Sequence, residues 1–140
     1  MKQMLPDEVH GRLVAAAAFD GSSDVRRRAI ELLVLLRAGI ETVGFSRRDV
    51  VSRLLHDDTE AVRVSAVTYM AELGVADDLS AVEIARSDSN SDVREGANRA
   101  RFRILARSSP VEAFEFFRES NRGYESRDLE VRAGEIPTDV

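Results

Sequence analysis

The side chains best suited to chemistry in this chain are two histidines, a recurring row of aspartates and a large set of arginines. His56 stands directly before Asp57 and Asp58, a grouping that in a cleft would support acid–base work or part of a metal site. One imidazole beside a turn more often ends or packs a helix, and the other histidine, His10, is followed by Gly11. Asp20, Asp57 and Asp88 could pass for a row of catalytic carboxylates. There is no cysteine, which removes thiolate nucleophiles, disulfides and Cys-ligated zinc. Neither a Gly-rich phosphate loop, a nucleophile-elbow serine nor a zinc-protease helix occurs. The expectation is a noncatalytic protein with no catalytic residue, no metal and no cofactor.

Charge narrows the partners. Against 20 basic residues stand 25 acidic ones, a net charge of −5, so bulk attraction to nucleic acid or anionic lipid is not expected. Lys2 is the only lysine, which leaves nearly every cation as a guanidinium able to grip a carboxylate through two parallel bonds. With 140 residues, 44% apolar and 32% charged, the composition fits one soluble domain with a single core. The apolar run Leu13 to Phe19 follows Asp7, Glu8 and Arg12, and no stretch approaches the length of a membrane span. A cytoplasmic protein with no membrane partner is expected.

What must position these residues is an internal repeat. Three segments superimpose without a gap on a Val-Arg pair: Asp20 to Arg26, Asp57 to Arg63 and Asp88 to Arg94. Their arginines lie 37 and 31 positions apart, the spacing of two helices plus their turns. Four residues before each arginine stand Ser22, Thr59 and Asn90, whose side-chain oxygens can accept from the free N–H groups of a helix start. Asp24 and Asp92 then oppose the positive end of the helix dipole.

Downstream, Val25, Ala29, Leu32, Leu33 and Leu36 form one apolar stripe, as do Val62, Ala66, Tyr69, Met70 and Leu73, and then Val93, Ala97, Ala100 and Ile104. Val25, Val62 and Val93 are expected to point into a shared hydrophobic spine. The alanine three residues after each arginine permits close helix packing. A shorter apolar segment precedes each capped helix: Val9, Leu13, Val14 and Ala17; Val50, Val51 and Leu54; Val82 and Ala85. Each unit is thus a helix A, a tight polar turn and a helix B, over about residues 6–38, 45–74 and 77–107. Ser108-Ser109-Pro110 then restarts a terminal helix over 110–120, with Phe114, Phe116 and Phe117 on it. Residues 1–121 make up the repeat domain. Asp128 and Val131-Arg132 echo the motif, so 122–140 read as a poorly ordered polar tail or the start of a degenerate fourth unit.

The repeated Asp, turn and Val-Arg followed by Ala resembles the HEAT-repeat family, in the variety first noticed in bilin lyases, over about residues 6–107. The Pro that often opens helix B in that family is replaced by Ser23, Glu60 and Ser91, and the linker around Gly39 to Phe45 is longer than that around Gly74 to Asp78. The resemblance implies an all-α fold, a right-handed α-α superhelix of about three helix pairs plus a terminal helix. It also implies that the turn aspartates Asp20, Asp57 and Asp88 and the arginines Arg26, Arg63 and Arg94 form a ladder that fixes stacking.

In such solenoids the opposite face of helix B lines the concave surface, here Arg27, Glu31, Val34, Leu35, Val64, Thr68, Ala71, Glu72, Glu95, Arg99, Phe102 and Arg103. This set is a candidate groove for another protein or peptide, with an apolar floor and charged margins. Two alternatives cover parts of it: the terminal helix folds over Phe102, or the long linker covers Val34 and Leu35. The Phe-rich terminal helix either packs inward on the third unit or makes a homodimer contact.

Other functional classes have weaker footing. Arg94, Arg99, Arg101, Arg103 and Arg107 on one helix and Arg26, Arg27 and Arg28 on another suggest nucleic-acid binding of the kind found in HEAT-like DNA glycosylases. The overall negative charge and the lack of tryptophan oppose it. The di-iron hydroxylase branch of the superfamily carries paired His-Glu ligands, and here Gly11 and Asp57 follow the histidines. A bilin-lyase-like enzyme, or a piece of a longer HEAT-repeat protein, shares the repeat and nothing more specific.

Overall fold

A computed structural model describes residues 5–120. The expectations for 122–140 lie outside the described residues. Seven helices follow in order among those described: α1 (Asp7–Phe19), α2 (Ser23–Leu35), α3 (Arg47–Leu55), α4 (Glu60–Leu73), α5 (Leu79–Ala85), α6 (Ser91–Ser108) and α7 (Pro110–Ser120), with a short 3-10 turn at Ala76–Asp78 before α5. No strand occurs among the described residues, only an isolated bridge between Thr42 and Phe45. The fold is an all-α HEAT-like solenoid in which α1, α3 and α5 are the A helices and α2, α4 and α6 the B helices.

Side-chain caps start three of these helices, α2, α3 and α6. Ser22 Oγ accepts from the Val25 N–H at 3.3 Å and Ser46 Oγ from the Asp49 N–H at 3.3 Å. Asn90 Oδ1 accepts from both Asp92 and Val93, at 2.9 and 3.1 Å. Each such cap contributes about 1 kcal/mol by satisfying donors that the helix leaves free. Thr59 departs from the expectation: its hydroxyl donates to Asp58 Oδ1 instead of capping α4. The Asp57 carboxylate still accepts from the Thr59 N–H, as the turn aspartates of the other two units do at Ser22 and Asn90.

The B helices pack directly on one another, more extensively than the A helices do. Their shared spine is Ile30 and Leu33 from α2, Val62, Ala66, Val67, Tyr69 and Met70 from α4, and Val93, Ala97, Ala100 and Ile104 from α6. Val50, Val51 and Leu54 of α3 and Val82 of α5 close it from the A side. Burying each of the larger aliphatic side chains contributes about 1.5–3 kcal/mol. Tyr69 is wholly buried, and its hydroxyl donates to the Ala38 carbonyl at 2.6 Å, so its polar end has a partner. Burial pushes that phenol up to about 12. At Gly96 a Cβ would lie 2.3 Å from Val67 Cγ2, so the close approach of α4 and α6 depends on the missing side chain.

Four expected core positions are corrected, Val9 of α1 and Val25, Leu32 and Leu36 along one face of α2, the last two exposed by 43 and 47%. Val62 and Val93 point into the spine, but Val25 is 41% exposed, and Val9 of α1 is also half exposed. The face of a B helix that Val25 occupies is buried only where another B helix lies over it. In α4 that cover is α2, and in α6 it is α4; no described helix covers α2 in the same way.

Candidate functional site

The turns repeat one geometry three times. The carboxylates of Asp20, Asp57 and Asp88 each accept from the N–H two residues on, of Ser22, Thr59 and Asn90, all at 2.9 Å. Six residues after each aspartate, Arg26, Arg63 and Arg94 donate back to its main-chain carbonyl at 2.7, 2.8 and 2.7 Å. Between units, Arg26 grips the Asp57 carboxylate through Nε and Nη2 at 2.8 and 3.1 Å, and Arg63 grips Asp88 the same way at 3.0 and 3.2 Å. Asp58 adds a contact to Arg26 at 3.2 Å.

The structure thus brings Arg26 to Asp57 and Arg63 to Asp88. It does not bring an arginine to the Asp20 carboxylate, and Arg94 meets no further carboxylate within hydrogen-bond distance among the described residues. Each rung needs a neighbouring unit to supply the other half, and among the described residues none lies beyond Asp20 or Arg94.

Both rungs are largely removed from water and bidentate, which makes them stronger than ordinary surface pairs. Burial pushes the Asp57 carboxyl up, but the hydrogen bonds from Arg26 and the Thr59 N–H outweigh it and hold the group below the usual carboxylate range. Asp88 follows the same pattern, with burial opposed by the Asn90 N–H and Arg63. The carboxylates are occupied by structural partners, which leaves them poorly placed for catalysis.

A second clamp escaped the sequence reading. Arg47, at the start of α3, grips the nearly buried Asp78 through Nε at 3.0 Å and Nη2 at 2.8 Å, and also donates to the Leu73 carbonyl at 3.2 Å. Asp78 in turn accepts from the Val75 N–H at 2.8 Å. Other arginines close helix C-termini, where free carbonyls and the negative dipole end collect. Arg53 donates to Ala18 at 3.2 Å, and Arg107 to Ala71 and Gly74 at 2.9 and 2.8 Å.

On the outward face of layer B the expected residues separate. Leu35 is 79% exposed; Thr68, Glu95, Arg99 and Arg103 are exposed, while Val34 and Val64 are half-buried against the core. Ala71 is buried against α6 and drops out of the candidate surface, because its position faces the next unit. Arg27 is held between Asp24 at 2.7 Å and Glu31 at 2.8 Å. Glu72 and Arg103 pair across units at 2.7 Å, which breaks the expected apolar floor in the middle. Phe102 sits 6.1 Å from Phe117, ring centre to ring centre, so α7 packs inward on α6 and partly covers it.

The long linker leaves Leu35 uncovered. It stays on the helix-A side, where Phe45 packs on Phe19 with ring centres 5.4 Å apart and His10 Nε2 hydrogen-bonds the Gly39 carbonyl. There it walls an open groove of about 1130 Å³ with α3 and α5, rimmed by Arg48, His56 and the exposed Val43 and Ile84. The length of the linker was visible in the sequence, but its path was not. His56 Nδ1 bonds the Ser52 carbonyl at 2.9 Å at the end of α3. Among the described residues no group of three His, Asp or Glu side chains could hold a metal ion, and no helix is long and apolar enough to cross a membrane.

The arginines of α6 are mostly engaged within the protein. Arg94 and Arg107 donate to carbonyls, Arg101 pairs with Glu83 at 3.1 Å and Arg103 with Glu72. Comparison with known proteins agrees with the architecture. No curated protein and no solved structure matches the chain. The family model for HEAT repeats matches residues 12–100, more than half of its length and spanning the three turn motifs, and the chain therefore belongs to the HEAT-repeat family.

Proposed function

We propose that the protein is a noncatalytic interaction module that holds another protein or peptide on the outward, concave face of its B helices. The observation that carries this reading is the pairing of a solvent-exposed Leu35 with a frame of charged groups, Arg27 with Glu31 and Glu72 with Arg103, on one continuous helix layer. A leucine so exposed contributes nothing to the core, and an apolar anchor inside a polar rim is the usual anatomy of a binding surface. HEAT repeats are generally interaction scaffolds, which supports the same class of function. The candidate contacts are Arg27, Glu31, Leu35, Val64, Thr68, Glu72, Glu95, Arg99, Phe102 and Arg103. A partner engaged there is distinct from a second copy of the chain docking through α7, for which the half-exposed Phe114 and Phe117 are the motive.

The test is affinity capture from the native cell with the wild-type chain and with Leu35→Asp and Thr68→Arg, followed by rebinding of the purified partner. The partner should be lost from both variants while their helical content and melting temperature stay unchanged. Equal capture by wild type and variants would remove this face from consideration. A nucleic-acid reading has less support, since four of the five arginines on α6 are engaged by the protein's own oxygens and the net charge is −5.

A further inference from the structure

The three B helices share a register, and one of their faces is treated differently in the first. In α4 and α6 the positions facing the preceding unit are Val62, Tyr69 and Leu73, and Val93, Ala100 and Ile104; all are fully buried except Leu73, which packs partly buried on the core. The same register positions in α2 are Val25, Leu32 and Leu36, exposed by 41, 43 and 47%. Beside this stripe the later helices carry small residues, Ser65 and then Gly96, whose missing side chain admits Val67 of the neighbouring helix. In α2 that position is Arg28, exposed and paired with Asp24 at 3.1 Å. The helix therefore keeps the apolar stripe of a stacked repeat but not the small residue that lets a parallel neighbour approach closely.

We propose that this face of α2 is a contact between two copies of the chain related by a two-fold axis, with the two α2 helices antiparallel. The stripe fixes the register, because its centre falls between residues 30 and 31. Val25 of one copy then faces Leu36 of the other, and Leu32 faces Ala29. In that register, set by apolar residues alone, Arg28 falls beside the other copy's Glu31, and symmetry makes the pair twice. Arg28 and Glu31 lie on the same flank of the stripe, as such pairing requires. The arrangement continues the helix-on-helix contact that already joins α2 to α4 and α4 to α6, with a polar flank in place of the glycine. Three half-exposed aliphatic side chains per copy make a small interface, so the dimer belongs to the weak, concentration-dependent class. The inference does not depend on the partner proposed for the outward face, although Glu31 lies on the border between the two.

Sedimentation of the full chain from micromolar to near-millimolar concentration tests the proposal. The wild type should shift from monomer toward twice the monomer mass. Leu32→Asp should stay monomeric with an unchanged melting temperature. Arg28→Glu and Glu31→Arg should each weaken the dimer about tenfold or more, and the double swap should restore it, since oppositely charged partners again meet across the axis. The swaps lie on the surface, so they remain informative if Leu32→Asp fails to fold. A chain that stays monomeric throughout the range overturns the proposal. So does a dimer that survives Leu32→Asp, a double swap that restores nothing, or a dimer abolished by Phe114→Asp alone, which would place the contact on α7.

Discussion

Val62 and Val25 occupy the same place in the same motif, two residues into a helix that begins at a polar turn, and the fold treats them in opposite ways. Val62 is wholly enclosed, whereas Val25 keeps 41% of its surface in water. The local sequence makes the helix in both cases; the neighbouring unit decides whether the motif valine becomes core. Burial in a stacked array belongs to pairs of units, so a unit with no described neighbour on one side can carry every residue of the motif and leave that face open.

The largest test of that contrast is a pair of truncations. Val62→Ala should cost about 2–3 kcal/mol in urea or thermal unfolding, from lost transfer energy and the cavity left behind. Val25→Ala should cost less than about 1 kcal/mol, because a half-exposed side chain loses little on removal. Comparable losses at both sites would mean that Val25 is covered in solution. Measuring them at the lowest and highest accessible protein concentration would show whether a second copy supplies the cover.

Acid should separate the two rungs from the rest of the surface. Asp57 and Asp88 are held below the ordinary carboxylate range in the folded protein, and in the unfolded chain they titrate near about 3.9. Their contribution to stability is therefore complete above the unfolded value and is lost as pH falls through the lower folded values. The melting temperature should fall as pH drops below about 4.5, and Asp57→Asn and Asp88→Asn should each make that fall shallower. An unaltered slope in both variants would show that the rungs carry no net electrostatic stabilisation.

How far the sequence reaches follows from the same distinction between what is local and what is shared. The turn motifs, the caps at Ser22 and Asn90 and the helix-B stripes were legible because each is encoded within a few residues and repeats three times. Thr59 misled because its hydroxyl turns to the neighbouring Asp58 carboxylate, which has no counterpart at Gly21 or Ser89 in the other turns. The Arg47–Asp78 clamp and the cap that Arg107 places on α4 were not legible, since their partners lie about thirty residues away and no repeat advertises them. The linker over Gly39 to Phe45 has no periodicity, so nothing local said that Phe45 would go to Phe19 and leave Leu35 bare. Of the candidate surface, the exposure of Leu35 and the loss of Ala71 to the core were settled only by where α4 and α6 lie.

The central claim is that helix pairs are held in register by arginines reaching from one unit to the aspartate of the next. Its most direct test is a double-mutant cycle on the full chain with Arg63→Ala, Asp88→Ala and the pair, read by urea unfolding. With Nε at 3.0 Å from the carboxylate and both side chains 13% exposed, the coupling should be about 1–2 kcal/mol. Arg94→Ala, which removes an arginine bonded to its own turn carbonyl, should cost less than Arg63→Ala. Additive effects of the Arg63 and Asp88 substitutions, with no coupling energy, would contradict the account.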